Sequence, residues 1–124
     1  MAASNKSILV IEDDETLRTL LQRQLEGLYT VHTARDAAVA LRLLETIPLP
    51  NLIVCDVMMP GASGVELAHH LKSNEAYKSI PLIFLTAKTG AIDVIQGINA
   101  GARHYITKPF KLPDLLEKIS KAIK

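Results

Sequence analysis

Short apolar runs rich in β-branched residues alternate along the chain with longer stretches in which apolar residues recur every three or four positions. The runs are SILVI at 7–11, YTVHT at 29–33, LIVC at 52–55, PLIFL at 81–85 and HYI at 104–106, and each reads as a strand. The stretches between them read as helices. In and just past 15–27, Leu17, Leu20, Leu21, Leu25 and Leu28 recur at helical spacing, with Asp14 as the N-cap. Asp36 caps a second helix with the stripe Ala37, Ala40, Leu41 and Leu44, closed by Pro48 and Pro50. Ser63 and Glu66 have the spacing of a capping box, opening a helix through Leu67, Ala68 and Leu71. Ala91, Val94, Ile95 and Ile98 predict a helix near 91–100. Leu112, Leu115, Leu116, Ile119 and Ile123 predict the last one.

Five strand–helix units in strict alternation predict an α/β domain, a doubly wound five-stranded parallel sheet with five helices on its two faces. The strands are continuous apolar runs rather than alternating ones, as burial on both faces requires. Right-handed crossovers leave few topologies, and in such sheets sites form outside the carboxyl ends of the strands.

The polar residues pass that test. ILVI runs into Glu12, Asp13 and Asp14, LIVC into Asp56, LIFL into Thr86, and HYIT into Lys108. Four strands therefore release an acid, a hydroxyl or an ammonium on one rim. A lone Asp after a strand is most often a turn residue or helix cap, and Asp14 reads as one. It is the joint occurrence that points to chemistry. Two carboxylates about 4 Å apart repel by roughly 4 kcal/mol at an effective dielectric near 20. Lys108 offsets one charge, and the rest call for a hard cation with oxygen ligands, of which Mg2+ is the natural choice. An acid, a cation, an ammonium and a hydroxyl together suit phosphoryl transfer. Asp56 would be the nucleophile that becomes an acyl phosphate, Lys108 and the metal would stabilise the transferring oxygens, and Thr86 would bond one of them.

Composition narrows the alternatives. The chain has 124 residues, 48% hydrophobic, which suits one domain with a single folded core. A net charge of +1 and 4% aromatics give no electrostatic or stacking surface for nucleic acid. The single cysteine, Cys55, sits in an apolar run and reads as a small buried hydrophobe, which suits a cytoplasmic setting. MAASNKS lacks the apolar stretch of a signal peptide, and no run approaches a membrane span. Residues 1–6 read as a flexible N-terminus and 7–124 as the folded domain. His32, His69, His70 and His104 lack metal-ligand spacing.

The segments ILVIEDDE, PNLIVCDVMMPGASGVEL, IPLIFLTA and GINAGARHYITKPF, with the final amphipathic helix, resemble the receiver domain of bacterial two-component response regulators over about residues 6–123. The resemblance implies a flavodoxin-like sheet of order 2-1-3-4-5. It makes Asp56 the phosphoacceptor, and Glu12, Asp13, Asp56 and the main-chain carbonyl of Met58 the Mg2+ ligands. Lys108 becomes the phosphate-binding lysine, followed by a cis Lys108–Pro109 peptide. Thr86 and Tyr105 become the switch pair, through which phosphorylation reshapes the face formed by 91–123. The donor is a phosphohistidine on a sensor histidine kinase or phosphotransfer protein, and the output partner is a protein the sequence does not name. The domain would catalyse only its own phosphorylation and hydrolysis, without contacting nucleic acid or membrane.

Several positions depart from the commonest pattern. Arg103 and His104 stand where many DNA-binding regulators carry an acidic pair used in dimerisation, so a monomer or a weak phosphorylation-dependent dimer is expected. Met58 and Lys88 flank the path of attacking water, and apolar Met58 offers nothing to orient it, so slow hydrolysis is expected. Ile92 lies off its helix's apolar stripe. Dehalogenase-type phosphatases need a second acid at position 58, which is Met58 here. A flavodoxin would not place an acidic loop after its first strand. The alternative from another class is a pseudo-receiver, an interaction module that is not phosphorylated; such modules usually lose part of the acidic pocket, whereas this sequence retains all of it. The sequence fits a stand-alone receiver and a module of a longer regulator equally.

Overall fold

The computed structural model describes residues 6–57, 63–86 and 104–123, with Thr86 and His104 described by their backbone alone. Five strands, β1 (Ser7–Ile11), β2 (Thr30–Ala34), β3 (Leu52–Asp56), β4 (Leu82–Thr86) and β5 (His104–Thr107), form one sheet in the order β2-β1-β3-β4-β5. Every neighbouring pair is parallel. The strand order is the one the family resemblance implies, and the doubly wound parallel sheet is as the sequence pattern predicts.

The number of helices is not. Among the described residues there are four, α1 (Glu15–Leu25), α2 (Ala37–Leu44), α3 (Gly64–Lys72) and α4 (Leu112–Ile123), against an expectation of five. The remaining expected helix, 91–100, lies outside the described residues. Period alone supports it. Three of its four stripe residues are β-branched and Gly97 falls inside it, both of which lower helix propensity.

The strands are buried because helices cover both faces, and the pleat sorts their side chains. Leu9, Ile11, Ile53, Cys55, Leu82 and Phe84 pack with Ala37, Ala40 and Leu44 of α2 and Leu67, Ala68 and Leu71 of α3. The alternate positions Ile8, Val10, Leu52, Val54, Ile83, Leu85 and Ile106 pack with Leu21 and Leu25 of α1 and Leu115, Ile119 and Ala122 of α4. Burial raises the Cys55 thiol well above its ordinary value, so it is an inert core group.

Capping follows the sequence. Asp14 accepts from the amides of Thr16 and Leu17, Asp36 from Val39, and Ser63 and Glu66 form the reciprocal box. One stripe is narrower than periodicity suggests. Leu20 and Leu28 are 50% and 49% exposed. The line of α1 that meets the core recurs every fourth residue, with Leu21 and Leu25 buried and Leu17 partly buried; Leu20 is rotated sideways from it, while Leu28 lies past the C-cap Glu26. Among the described residues no helix is long and apolar enough to cross a membrane.

Candidate functional site

The carboxyl ends of β1, β3 and β5 lie on one rim because the strands are parallel and in register. Ile11 pairs with Cys55, Asp56 with Leu85, and Leu85 with Ile106. Asp56 is itself the last residue of β3, so the strand ladder fixes its backbone. Its carbonyl accepts from the Cys55 thiol at 3.2 Å.

Glu12 continues β1, donating its amide to the Ala34 carbonyl at 3.0 Å, and its side chain turns into the protein with no exposed surface. The Lys108 ammonium, just beyond β5, donates to Glu12 Oε1 at 2.9 Å and to Asp56 Oδ2 at 3.3 Å. The Asp14 amide donates to the other Glu12 oxygen at 3.1 Å. One carboxylate oxygen from each of Glu12, Asp13 and Asp56 lies within 4.8 Å of the others. Glu12 and Asp56 are buried and Asp13 faces solvent, which leaves the cluster open on one side.

The electrostatics follow from that crowding. Burial pushes the Glu12 carboxyl up from 4.5 to about 7; Lys108 and the Asp14 amide pull it down, and the Asp56 charge pushes it further up. For Lys108, burial alone favours the neutral amine. The hydrogen bond and charge of Glu12, with the charge of Asp56, outweigh burial, and the ammonium is held above its ordinary range. The site is a charged cluster in which carboxylates outnumber the cation that bonds them, as a hard divalent ion requires. Its donors are all oxygens, which fits Mg2+.

Of the residues expected in the site, the fold brings Glu12, Asp13, Asp56 and Lys108 together. The Lys108–Pro109 peptide is cis. The Thr86 backbone ends β4, paired with Thr107 of β5, while its hydroxyl is not among the described groups. Tyr105 is half-buried on the α2/α3 side of β5, its ring centroid 6.1 Å from that of Phe84 and tilted by 43°. Burial raises its phenol above the ordinary value. Met58, Lys88, Ile92 and Arg103 lie outside the described residues, and His104 is described by its backbone only.

Two residues that sequence patterns do not single out adjoin the site. Gly64, at the start of α3, donates its amide to the Val57 carbonyl at 2.8 Å, and a Cβ there would collide with the carbonyl oxygen of Asp56. Glycine in the first turn of a helix is a weak signal of such close approach. Arg18 donates from Nη1 to the carbonyl oxygens of Glu12 at 2.9 Å and Asp13 at 3.5 Å. A single arginine on a helix carries no pattern that points to this.

Comparison with known proteins agrees with the geometry. The pattern of the response regulator receiver domain matches residues 8–120. Protein PetR of Rhodobacter capsulatus is 42% identical over 97% of this chain and 49% of its own length. The alkaline phosphatase synthesis transcriptional regulatory protein PhoP of Bacillus subtilis is 44% identical over 86% of this chain and 43% of its own. The chain thus spans about half the length of the curated relatives it matches. The non-phosphorylated HemR receiver domain of Leptospira biflexa superposes with a TM-score of 0.86 at 34% identity, covering 97% of this chain and 95% of that one.

Proposed function

This chain belongs to the response regulator receiver domain family, whose members are phosphorylation-dependent signalling switches, and from that premise we propose that Asp56 accepts the phosphoryl group. The observation that carries the assignment is the meeting of Glu12, Asp13, Asp56 and Lys108 on one rim, with Asp56 anchored in the sheet.

Glu12, Asp13 and Asp56, with the Met58 carbonyl, would hold Mg2+. When bound, the ion supplies a Lewis acid that offsets charge on the transferring oxygens. The donor is a phosphohistidine of a sensor histidine kinase or phosphotransfer protein. An Asp56 carboxylate oxygen forms a bond to phosphorus, the phosphorus–nitrogen bond breaks, and the imidazole departs with the electron pair. Lys108 stabilises the equatorial oxygens, and the Thr86 hydroxyl bonds one of them. The acyl phosphate carries about −1.5 to −2 where the carboxylate carried −1. Thr86 and Tyr105 then rearrange and remodel the 91–123 face for an output protein.

The domain, spanning 7–124, is a signalling module rather than a turnover enzyme; its catalysis is confined to its own phosphorylation and dephosphorylation. Its free, buried Cys55 suits a cytoplasmic setting. The acidic pocket at Glu12, Asp13 and Asp56 favours phosphorylation over a purely scaffolding role.

The test is incubation with acetyl phosphate, with and without Mg2+, followed by intact mass measurement. A phosphoryl adduct is expected on the wild type with Mg2+ and not on Asp56→Asn. An adduct of equal yield on Asp56→Asn would refute the assignment.

A further inference from the structure

We propose that Arg18 is a positioning residue for the acidic pair: its guanidinium grips the main chain of Glu12 and Asp13 so that both carboxylates face the same point. The inference rests on the reading of those acids as metal ligands.

Successive residues of an extended strand point to opposite faces. Glu12 still follows the line of β1, its amide bonded to Ala34, yet the Asp13 carboxylate reaches within 4.8 Å of those of Glu12 and Asp56. The backbone must therefore turn between Glu12 and Asp13. The successive carbonyls converge, and both meet Arg18 Nη1, at 2.9 Å and 3.5 Å. Arg18 is itself rooted in the first turn of α1, where its amide donates to the Asp14 carbonyl at 2.8 Å and the Asp14 side chain caps the helix. One end of the side chain is thus set by the helix and the other by the loop.

The choice of acceptor matters. Carboxylates are stronger acceptors for a guanidinium than carbonyls are, and both residues that Arg18 contacts carry one. Lys108 occupies carboxylate oxygens of Glu12 and Asp56, whereas the bonds of Arg18 go to main-chain oxygens. The arrangement orders the loop without Arg18 taking up a carboxylate oxygen, which is the part an outer-shell group plays at a metal site.

Two contributions of Arg18 have opposite sign, and that makes the proposal testable. Removing its charge alone would favour a bound cation. Removing its grip on the loop would disfavour one. Calorimetric titration of Mg2+ into wild type, Arg18→Met and Arg18→Lys, at fixed pH and ionic strength, separates them. Positioning predicts that Arg18→Met binds Mg2+ about tenfold more weakly. Arg18→Lys, which retains a donor, should recover part of that loss. Without metal, the Asp13 and Asp14 amide resonances should shift in Arg18→Met while those of the α4 core stay fixed. Mg2+ binding by Arg18→Met that is unchanged or tighter overturns the proposal. Absence of Mg2+ binding by the wild type overturns instead the metal assignment beneath it.

Discussion

Replacing Glu12 by Gln tests the electrostatic reading of the site directly. The Glu12 side chain has no solvent exposure, and burial is the main reason its carboxyl rises from 4.5 to about 7. An acid with a higher pKa in the native state than in the unfolded chain holds its proton more tightly when folded. Its contribution to stability is fully present below about pH 4.5 and is lost as pH rises through about 7. The loss over that window is about 3 kcal/mol, at roughly 1.4 kcal/mol per pKa unit. Gln keeps the shape of the side chain and cannot ionise. Urea unfolding of both proteins from pH 4 to 8 in a metal chelator gives the difference in unfolding free energy, in which the other titrations largely cancel. That difference should grow in the variant's favour by about 3 kcal/mol across the window, since the raised value already includes the pull of Lys108. Mg2+ should then narrow the gap at neutral pH, because it stabilises the wild type more than the variant. Parallel curves at all pH values would refute the claim that burial dominates at Glu12.

Gly64→Ala should lower stability by about 1 to 3 kcal/mol by overpacking, because the new Cβ meets immobile backbone, the Asp56 carbonyl and Val57 Cα. Helix propensity alone predicts a gain of about 1 kcal/mol, so thermal unfolding decides by sign, and a stabilised variant would discard the close-approach argument. Met58→Asn should shorten the lifetime of the phosphorylated form by supplying a group that orients water; equal decay rates, followed by mass after removal of the donor, would discard that role for position 58.

The sheet was readable from sequence because each strand is buried on both faces, so its apolar run is unbroken and its polar residue marks the end. β3 shows this best. Leu52 through Cys55 are wholly buried, and Asp56 follows as the group the run delivers to the rim. The same regularity located Glu12, Asp13 and Lys108 without knowledge of their distances. Other features depend on relations that no linear pattern carries. Leu20 and Leu28 match a helical period, but burial depends on which arc of α1 meets the sheet and on where the helix stops. Arg18 acts on carbonyls, which every residue has, so its role has no signature in residue type. Gly64 is dictated by the distance between α3 and the end of β3, a tertiary quantity. The stretch 91–100 offered periodicity set against glycine and β-branched composition, and the period alone did not establish a fifth helix.

The charge balance of the site also bears on where a switch would act. The three carboxylates and Lys108, whose ammonium bonds those of Glu12 and Asp56, leave two formal negative charges among them when all are ionised, which a divalent cation cancels. An acyl phosphate at Asp56 would carry about −1.5 to −2 in place of the carboxylate's −1, a net gain of roughly −0.5 to −1 that restores part of the deficit. Lys108 is the cation already bonded there, and it directly follows β5. A stronger pull on Lys108 therefore loads β5 from its carboxyl end. On the α1/α4 side that strand is held by Ile106, packed in a core with Leu85, Leu115 and Ile119, all three without exposure. Close-packed groups of this kind resist small displacements. On the opposite side β5 presents Tyr105, half-buried against Phe84. The resistance is unequal, so under the proposed assignment the added charge moves the Tyr105 side of β5 before it disturbs the Ile106 side. Amide exchange or side-chain resonances that changed at Ile106 and not at Tyr105 on phosphorylation would contradict this.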